Sequence, residues 1–307
     1  MSKMLIDRRK FHAAIAASVS ACCLSRHSPA KDQTPDRLNY ILASPMYGTE
    51  PLANVLSHVH RTGAAAIDIW PRSHANHREQ MDRLGFDKVA KLLTENQVRL
   101  GVITRYDLGP FRITEEIPTL KRFEGSLLIC GAGQQPGETI KERVHNFLKA
   151  MKPHIAIAEQ QQVKIGIENH SNTVLSSPDS IRYFAELNPS PSLGLAMAPY
   201  HLPQNPQLMS GLIEQLGDGL AFFQAWQHGK GCMKKLPKEE ELLQMPGRGD
   251  LDFCPILAAL QNINYQGWTE IFMHPVPRGI PILDNMDAVT AEINRSRAYL
   301  NQCFTRC

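Results

Sequence analysis

KIGIENH (164–170), LGLAMAPYH (193–201), FFQAWQHGK (222–230) and GWTEIFMH (267–274) are four short apolar runs that end in polar residues. Glu168, Ala198, His228 and Glu270 sit at or just past their ends, at steps of 30, 30 and 42 residues. A complete eightfold βα barrel takes roughly 250 residues, so one βα unit takes about 30. The spacing therefore puts one of these residues at the end of each of four successive strands.

Working outward, apolar runs at Leu38–Leu42, Ala65–Trp70, Leu100–Thr104 and Ser126–Cys130 precede the four quoted runs. The quoted runs supply strands at Val163–Glu168, Leu193–Met197, Ala221–Gln227 and Trp268–Met273, making eight in all. Between them, helical periodicity marks Glu50–Arg61, Arg78–Asn96, Thr139–Gln161, Ser177–Leu187, Leu208–Leu216, Leu251–Asn262 and Met286–Leu300. Pro153 is expected to kink or break the third of these. Strand–helix alternation implies a parallel sheet. No GxGxxG follows the first strand, which favours a closed barrel over a dinucleotide-binding sheet. The expected fold is α/β, a single-domain (β/α)8 TIM barrel over residues 37–307.

Residues 1–21 read as a targeting segment. Asp7-Arg8-Arg9-Lys10-Phe11 resembles a twin-arginine region, and Ala13–Ala21 is a small apolar stretch too short to span a bilayer. Val19-Ser20-Ala21-Cys22 also resembles a lipobox, with Cys22 as the lipidated residue. Residues 22–36, polar and proline-containing, read as a linker. The expectation is export, to the periplasm or to a lipid anchor, and a cytoplasmic location if the segment is not a signal. All of the +3 formal charge resides in residues 1–21, so the barrel itself is balanced and carries no electrostatic footprint for nucleic acid. Seven cysteines without a CxxC spacing make neither a disulfide scaffold nor a structural zinc site. Cys303 and Cys307 are a candidate pair in an oxidising compartment.

In such a barrel the active site lies at the carboxyl ends of the strands, so Glu168, Ala198, His228 and Glu270 converge although distant in sequence. Two carboxylates and an imidazole suit Mn²⁺, Mg²⁺, Co²⁺ or Zn²⁺. Such a metal can polarise a carbonyl while one carboxylate removes the neighbouring proton and another returns it.

The motifs KIGIENH (164–170), LGLAMAPYH (193–201), AWQHGKG (225–231), PGRGDLDF (246–253) and YQGWTEIF (265–272), in this order, resemble the xylose-isomerase-like sugar phosphate isomerase/epimerase superfamily. The resemblance covers residues from about 38 to 302. It implies a sugar isomerase or epimerase acting on a small carbohydrate. The metal would be held by Glu168, by an Asp in a D-x-x-H motif, by His228 and by Glu270, with Glu168 and Glu270 as the catalytic acid and base. His201 matches the His of D-x-x-H, which contacts substrate. Ala198 stands where the Asp belongs. A carbohydrate-binding relative without a full metal site is therefore the competing reading, and a lyase or hydrolase on the same scaffold is a third.

Other residues are read from position alone. Trp70, after the second strand, is placed to stack on a sugar ring or to pack the rim. His74 and His77 form an H-x-x-H that reads better as two surface histidines. Arg105 and Asp107 follow the third strand at substrate-contact positions. Strand alternation puts His170 on the face of Glu168. Lys230 and Lys234 would meet an anionic substrate or solvent. Gly247-Arg248-Gly249-Asp250 reads as a glycine-containing turn, with Arg248 in reach of substrate. Membrane contact is expected only through Cys22.

Overall fold

Each barrel strand alternates side chains that point inward with side chains that point at the surrounding helices. The computed structural model describes residues 37–228, 236–274 and 281–306. All eight expected strands form: β1 (Asn39–Ala43), β2 (Ala66–Ile69), β3 (Arg99–Thr104), β4 (Leu127–Gly131), β5 (Lys164–Glu168), β6 (Leu193–Met197), β7 (Leu220–Ala225) and β8 (Trp268–Ile271). They pair in parallel, each with the next, and β8 closes back on β1 through Asn39–Leu42 against Trp268–Ile271. The chain is thus a closed (β/α)8 barrel with helices outside.

Period-two alternation fills the barrel in layers. Ile41, Ala66, Val102, Leu127, Ile129, Ala196 and Phe222 form a separate inner cluster, with Trp268 packed against it. Two residues further along β2, β7 and β8 the inward positions turn polar, at Asp68, Gln224 and Glu270, and all three are buried. Inner volume is scarce where β6 passes β7. A Cβ on Gly194 would lie 2.7 Å from both the Ala221 Cβ and the Gly219 carbonyl, so glycine is required there.

The ten helices of the described residues cover the outside: α1 (Leu52–His58), α2 (His77–Leu84), α3 (Phe86–Glu95), α4 (Ile117–Arg122), α5 (Ile140–Gln161), α6 (Pro178–Leu187), α7 (Pro206–Leu216), α8 (Lys238–Glu241), α9 (Cys254–Asn262) and α10 (Met286–Arg306). Three expectations are corrected. The stretch Arg78–Asn96 is two helices, because Gly85 adopts φ +81° between them. Pro153 does not break α5, which runs through it. The face made by Phe147, Leu148, Met151, Ile155 and Ala158 is buried on both sides of the proline and outweighs one lost backbone bond. The third is the cysteine pairing: Cys303 bonds to Cys254, tying α10 to α9. Helix α10 continues past Cys303 to Arg306 and turns Cys303 inward, where it is buried, while Cys307 lies outside the described residues.

The Cys254–Cys303 link closes a 49-residue separation. In the chain-entropy account that is worth ~4 kcal/mol. Cys254→Ser is expected to lower the unfolding free energy from denaturant titration by about that amount against the oxidised wild type, and to match the wild type once that is reduced.

The proposed signal at 1–21, the linker at 22–36, Cys22, Lys230 and Lys234 all lie outside the described residues. Among the described residues no helix is long and apolar enough to cross a membrane.

Candidate functional site at the carboxyl mouth of the barrel

A cavity of about 290 Å³ opens at the carboxyl ends of the strands. That is at the small end for ligand pockets and suits one small molecule. Its lining is Trp70, His74, Tyr106, Gly131, Glu168, His170, Thr173, His201, Trp226, Phe272 and His274. Aromatic rings make the walls. Trp70 stacks on Phe272 at 5.0 Å between centroids and meets Tyr106 edge-on at 5.1 Å, while Trp226 stacks on Tyr200 at 3.9 Å and meets Phe272 edge-on at 4.8 Å.

Glu168 is the one carboxyl in this lining. It is the last residue of β5, in register with Gly131 on β4 and Ala196 on β6, so small neighbours leave its side chain room. Burial pushes its carboxyl up to about 8, and the Tyr106 hydroxyl beside it pulls the other way. Tyr106 is held protonated by burial and by the charge of Glu168. Its hydroxyl is shielded from solvent and lies beside the Glu168 carboxyl. His201 Nε2 lies 4.0 Å from Glu168 Oε1. Burial, then the neighbouring His170, His274 and His228, hold His201 well below the usual imidazole range, so its ring is neutral. His170 packs against it at 4.0 Å between ring centroids.

The structure thus brings Glu168, His201 and Trp70 together around one cavity, with His170 on the same face as the strand alternation implies. It does not bring the other named residues there. Glu270 is fully buried below the cavity, where Gln224 Nε2 donates to its Oε2 at 3.1 Å. Gln224 and Glu270 are register partners on β7 and β8. Both Asp68 and Glu270 are raised by burial, Glu270 further by the charge of Asp68. Trp70 Nε1 and Thr104 Oγ1 each donate to Asp68 Oδ2 at 2.7 Å.

His228 is exposed and outside the lining, its backbone N–H donating to Gln204 Oε1 at 3.1 Å. It stands four residues past Gln224, where the chain has already left the barrel. Ala198 is fully buried, and the Asn169 amide clasps its backbone, donating to the Ala198 carbonyl and accepting from its N–H.

Arg248 does not reach the cavity. Its Nε and Nη2 both donate to Glu292 at 2.6 Å, tying the turn to α10. The turn itself matches its reading: Gly247 has φ +77° with Tyr299 packed over it, and a Cβ on Gly249 would collide with Gln227. Arg105 and Asp107 pair with each other, and Arg105 also binds Glu116, which is shared with Arg78. His74 and His77 part company. His77 is buried against the Glu50 carbonyl, whereas His74 reaches the cavity and meets His274, Nε2 to Nε2 at 3.3 Å.

Sequence reading missed Tyr106, Trp226, Phe272 and His274 on the wall and Asp68 and Gln224 on the floor. Alternation was the available signal. Trp70 stands two past Asp68 of β2, Trp226 two past Gln224 of β7, and Phe272 and His274 two and four past Glu270 of β8, each continuing the inward alternation beyond the strand end.

The residues present do not assemble the metal centre that the motif resemblance implies. Of the four ligand positions, Ala198 offers a methyl group, His228 lies outside, and Glu270 already receives an N–H. Among the described residues, the His, Cys, Asp and Glu side chains that come within ligand spacing in threes or more are Asp252, Cys254 and Cys303, and these two cysteines are joined to each other.

Comparison with known proteins agrees with the fold. The family described as xylose isomerase-like TIM barrel matches residues 56–297. The L-ribulose 3-epimerase of Methylomonas sp. (strain DH-1) is 23% identical over 145 residues, 46% of this chain and 46% of that protein, so the chain spans about half the length of this relative. Among solved structures, the IolI protein with a bound zinc atom superposes with a TM-score of 0.67 at 13% identity, covering 88% of this chain and 99% of that one. The D-allulose 3-epimerase from Methylomonas sp. gives 0.66 at 17% identity, with coverage of 88% and 99%. The probable 3-DHS dehydratase AsbF from Bacillus anthracis gives 0.60 at 10% identity, with coverage of 83% and 97%. At these identities the structural likeness shows the barrel and nothing finer.

Proposed function

Since the chain belongs to the xylose isomerase-like TIM barrel family, we propose that it binds a small sugar or sugar derivative in the mouth cavity and moves a proton next to the carbonyl of that ligand. The observation that carries this reading is Glu168, a single carboxyl opening on an aromatic-walled cavity, with its proton affinity raised into the neutral range. A general base works best when its pKa lies near the operating pH.

The roles follow from placement. Trp70, Trp226 and Phe272 offer apolar faces to the C–H side of a sugar ring. Glu168 in its ionised form takes the proton from the carbon beside the carbonyl, giving an enediolate. The Tyr106 hydroxyl, held protonated beside Glu168, donates a hydrogen bond to the carbonyl oxygen as charge builds there. His201, neutral, hydrogen-bonds a neighbouring hydroxyl. The proton of the neighbouring hydroxyl passes to the former carbonyl oxygen, and protonated Glu168 returns its proton to the adjacent carbon, leaving the carbonyl on the neighbouring position. Because Glu270 is fully buried in the floor and does not line the cavity, removal and return fall to one carboxyl on one face of the ligand. That arrangement suits a 1,2-isomerisation better than an epimerisation, which needs a second acid on the opposite face.

A second reading, binding without turnover, is favoured by Ala198 and by the engaged Glu270. Both are tested by incubating the protein in D2O with a panel of aldoses, ketoses and hydroxyketones. Saturation-transfer NMR reads binding, and loss of the C–H signal beside the carbonyl reads exchange. Binding with exchange supports the isomerase. Binding without exchange establishes the second reading, and neither across the panel removes the carbohydrate assignment.

A further inference from the structure

We infer that this barrel is built to work without a metal ion: two of the four ligand positions bring no ligand to the site, and N–H and O–H donors from its own strands take one oxygen of each buried carboxyl on its floor. The inference concerns the floor of the barrel and stands independently of whether the cavity turns over a sugar.

Two buried carboxyls need compensation there, Asp68 on β2 and Glu270 on β8. A buried carboxylate with no partner is strongly unfavourable, so it takes a cation, donors or a proton. Here donors reach one oxygen of each, Glu270 Oε2 and Asp68 Oδ2, while Asp68 Oδ1 and Glu270 Oε1 are buried without a hydrogen-bond partner among the described residues. Gln224 Nε2 is aimed at Glu270 Oε2 at 3.1 Å, and both residues lie in the interior at 0% exposure. Trp70 Nε1 and Thr104 Oγ1 converge on Asp68 Oδ2 at 2.7 Å each. An amide N–H in contact with a carboxylate oxygen occupies the line along which a cation would approach. It also repels a cation, because its positive end faces the same oxygen.

The β7 residue in register with Glu270 is Gln224, and the nearest histidine in sequence, His228, is exposed and bound through its backbone elsewhere. At the next strand, Ala198 presents a methyl in place of an oxygen, and Asn169 seals its backbone on both sides. Two adjacent positions of the ring are thus non-ligating, and the third, Glu270, has its Oε2 taken by Gln224. Of the four-ligand set only Glu168 and the Oε1 of Glu270 remain, and losing ligands at two positions weakens a hard divalent cation against water. In this arrangement Gln224 is a positioning residue for Glu270, and Asp68 is an internal member of the site that no sequence motif marks.

The test is calorimetric titration of the EDTA-treated, dialysed full chain with Mn²⁺, together with metal analysis of the untreated protein and melting curves with and without 1 mM Mn²⁺. The expected result is no stoichiometric metal, no binding up to about 1 mM, and a melting temperature unchanged by the ion. Binding that persists unaltered in Glu168→Gln and Glu270→Gln would place the ion away from the floor and would leave the inference standing. One equivalent of Mn²⁺ lost in either variant overturns it. The double variant Ala198→Asp/Gln224→His supplies the opposite readout. It is expected to gain Mn²⁺ binding by at least tenfold over the wild type and a metal-dependent rise in melting temperature. The wild-type titration decides the matter even where that variant does not fold.

Discussion

Glu168→Gln is expected to lower the rate of deuterium exchange into a bound hydroxycarbonyl compound by ~10²–10⁴-fold, the usual worth of a positioned general base. Its effect on ligand affinity should be small, within a few-fold, because glutamine keeps the shape and still hydrogen-bonds a hydroxyl. The distinction matters because Glu168 is the carboxyl that lines the cavity, in contact range of both Tyr106 and His201. Measuring exchange and binding on the same samples separates the chemistry from the pocket. Equal exchange rates in variant and wild type would remove Glu168 from the reaction. A matching loss in Glu270→Gln with Glu168→Gln unaffected would move the chemistry to the floor of the barrel.

The second large effect is on stability and runs opposite to the first. The Glu168 carboxyl is raised from 4.5 to about 8 in the folded chain. The folded state therefore holds this proton more tightly than the unfolded state does. Between those two values the unfolded state has released the proton and the folded state has kept it, so stability falls as pH rises. The contribution is fully present below about pH 4.5 and lost by about pH 8. At 1.36 kcal/mol per unit it is on the order of 5 kcal/mol as an upper bound. Glu270 and Asp68 are raised by burial too and add in the same direction. Melting temperature recorded from pH 5 to pH 9 is expected to decline by several degrees. Glu168→Gln should flatten part of that decline and be more stable than wild type at pH 8 to 9. A wild-type profile that is flat or rising over this window would show that the buried carboxyls are ionised and compensated at neutral pH. Gain of stability with loss of exchange in one variant is what a proton-transfer group held in an unfavourable site should give.

Much of the fold was legible in the chain because its signals are local. Eight apolar runs separated by amphipathic stretches define strands and helices through periodicity alone, and the interval near 30 residues defines the barrel. The misjudged segments are those where non-local packing prevailed. Gly85 divides one periodic stretch into α2 and α3, and burial on both sides of Pro153 keeps α5 whole. The Cys254–Cys303 pair depends on α9 lying against α10, which no spacing of cysteines encodes.

The site was legible only in part. Glu168, His201 and Trp70 could be named because each follows an apolar run at its carboxyl end. His228 fits that rule equally well, yet the strand ends at Ala225 and leaves His228 outside, while Gln224, inside the strand, is the residue that faces Glu270. Arg248 was within sequence reach of the mouth but is held by Glu292 from α10.

The sequence by itself determined the barrel, the end of it that carries the site, and the absence of a carboxylate at Ala198. Periodicity and residue identity are properties of the chain taken in order. The tertiary structure alone decided which polar groups point inward at the same height, and so placed Glu168 in the cavity and Glu270 beneath it. It also gave Asp68 and Gln224 a part in the floor. Strand register and barrel closure set those juxtapositions, and both depend on residues brought together from opposite ends of the chain.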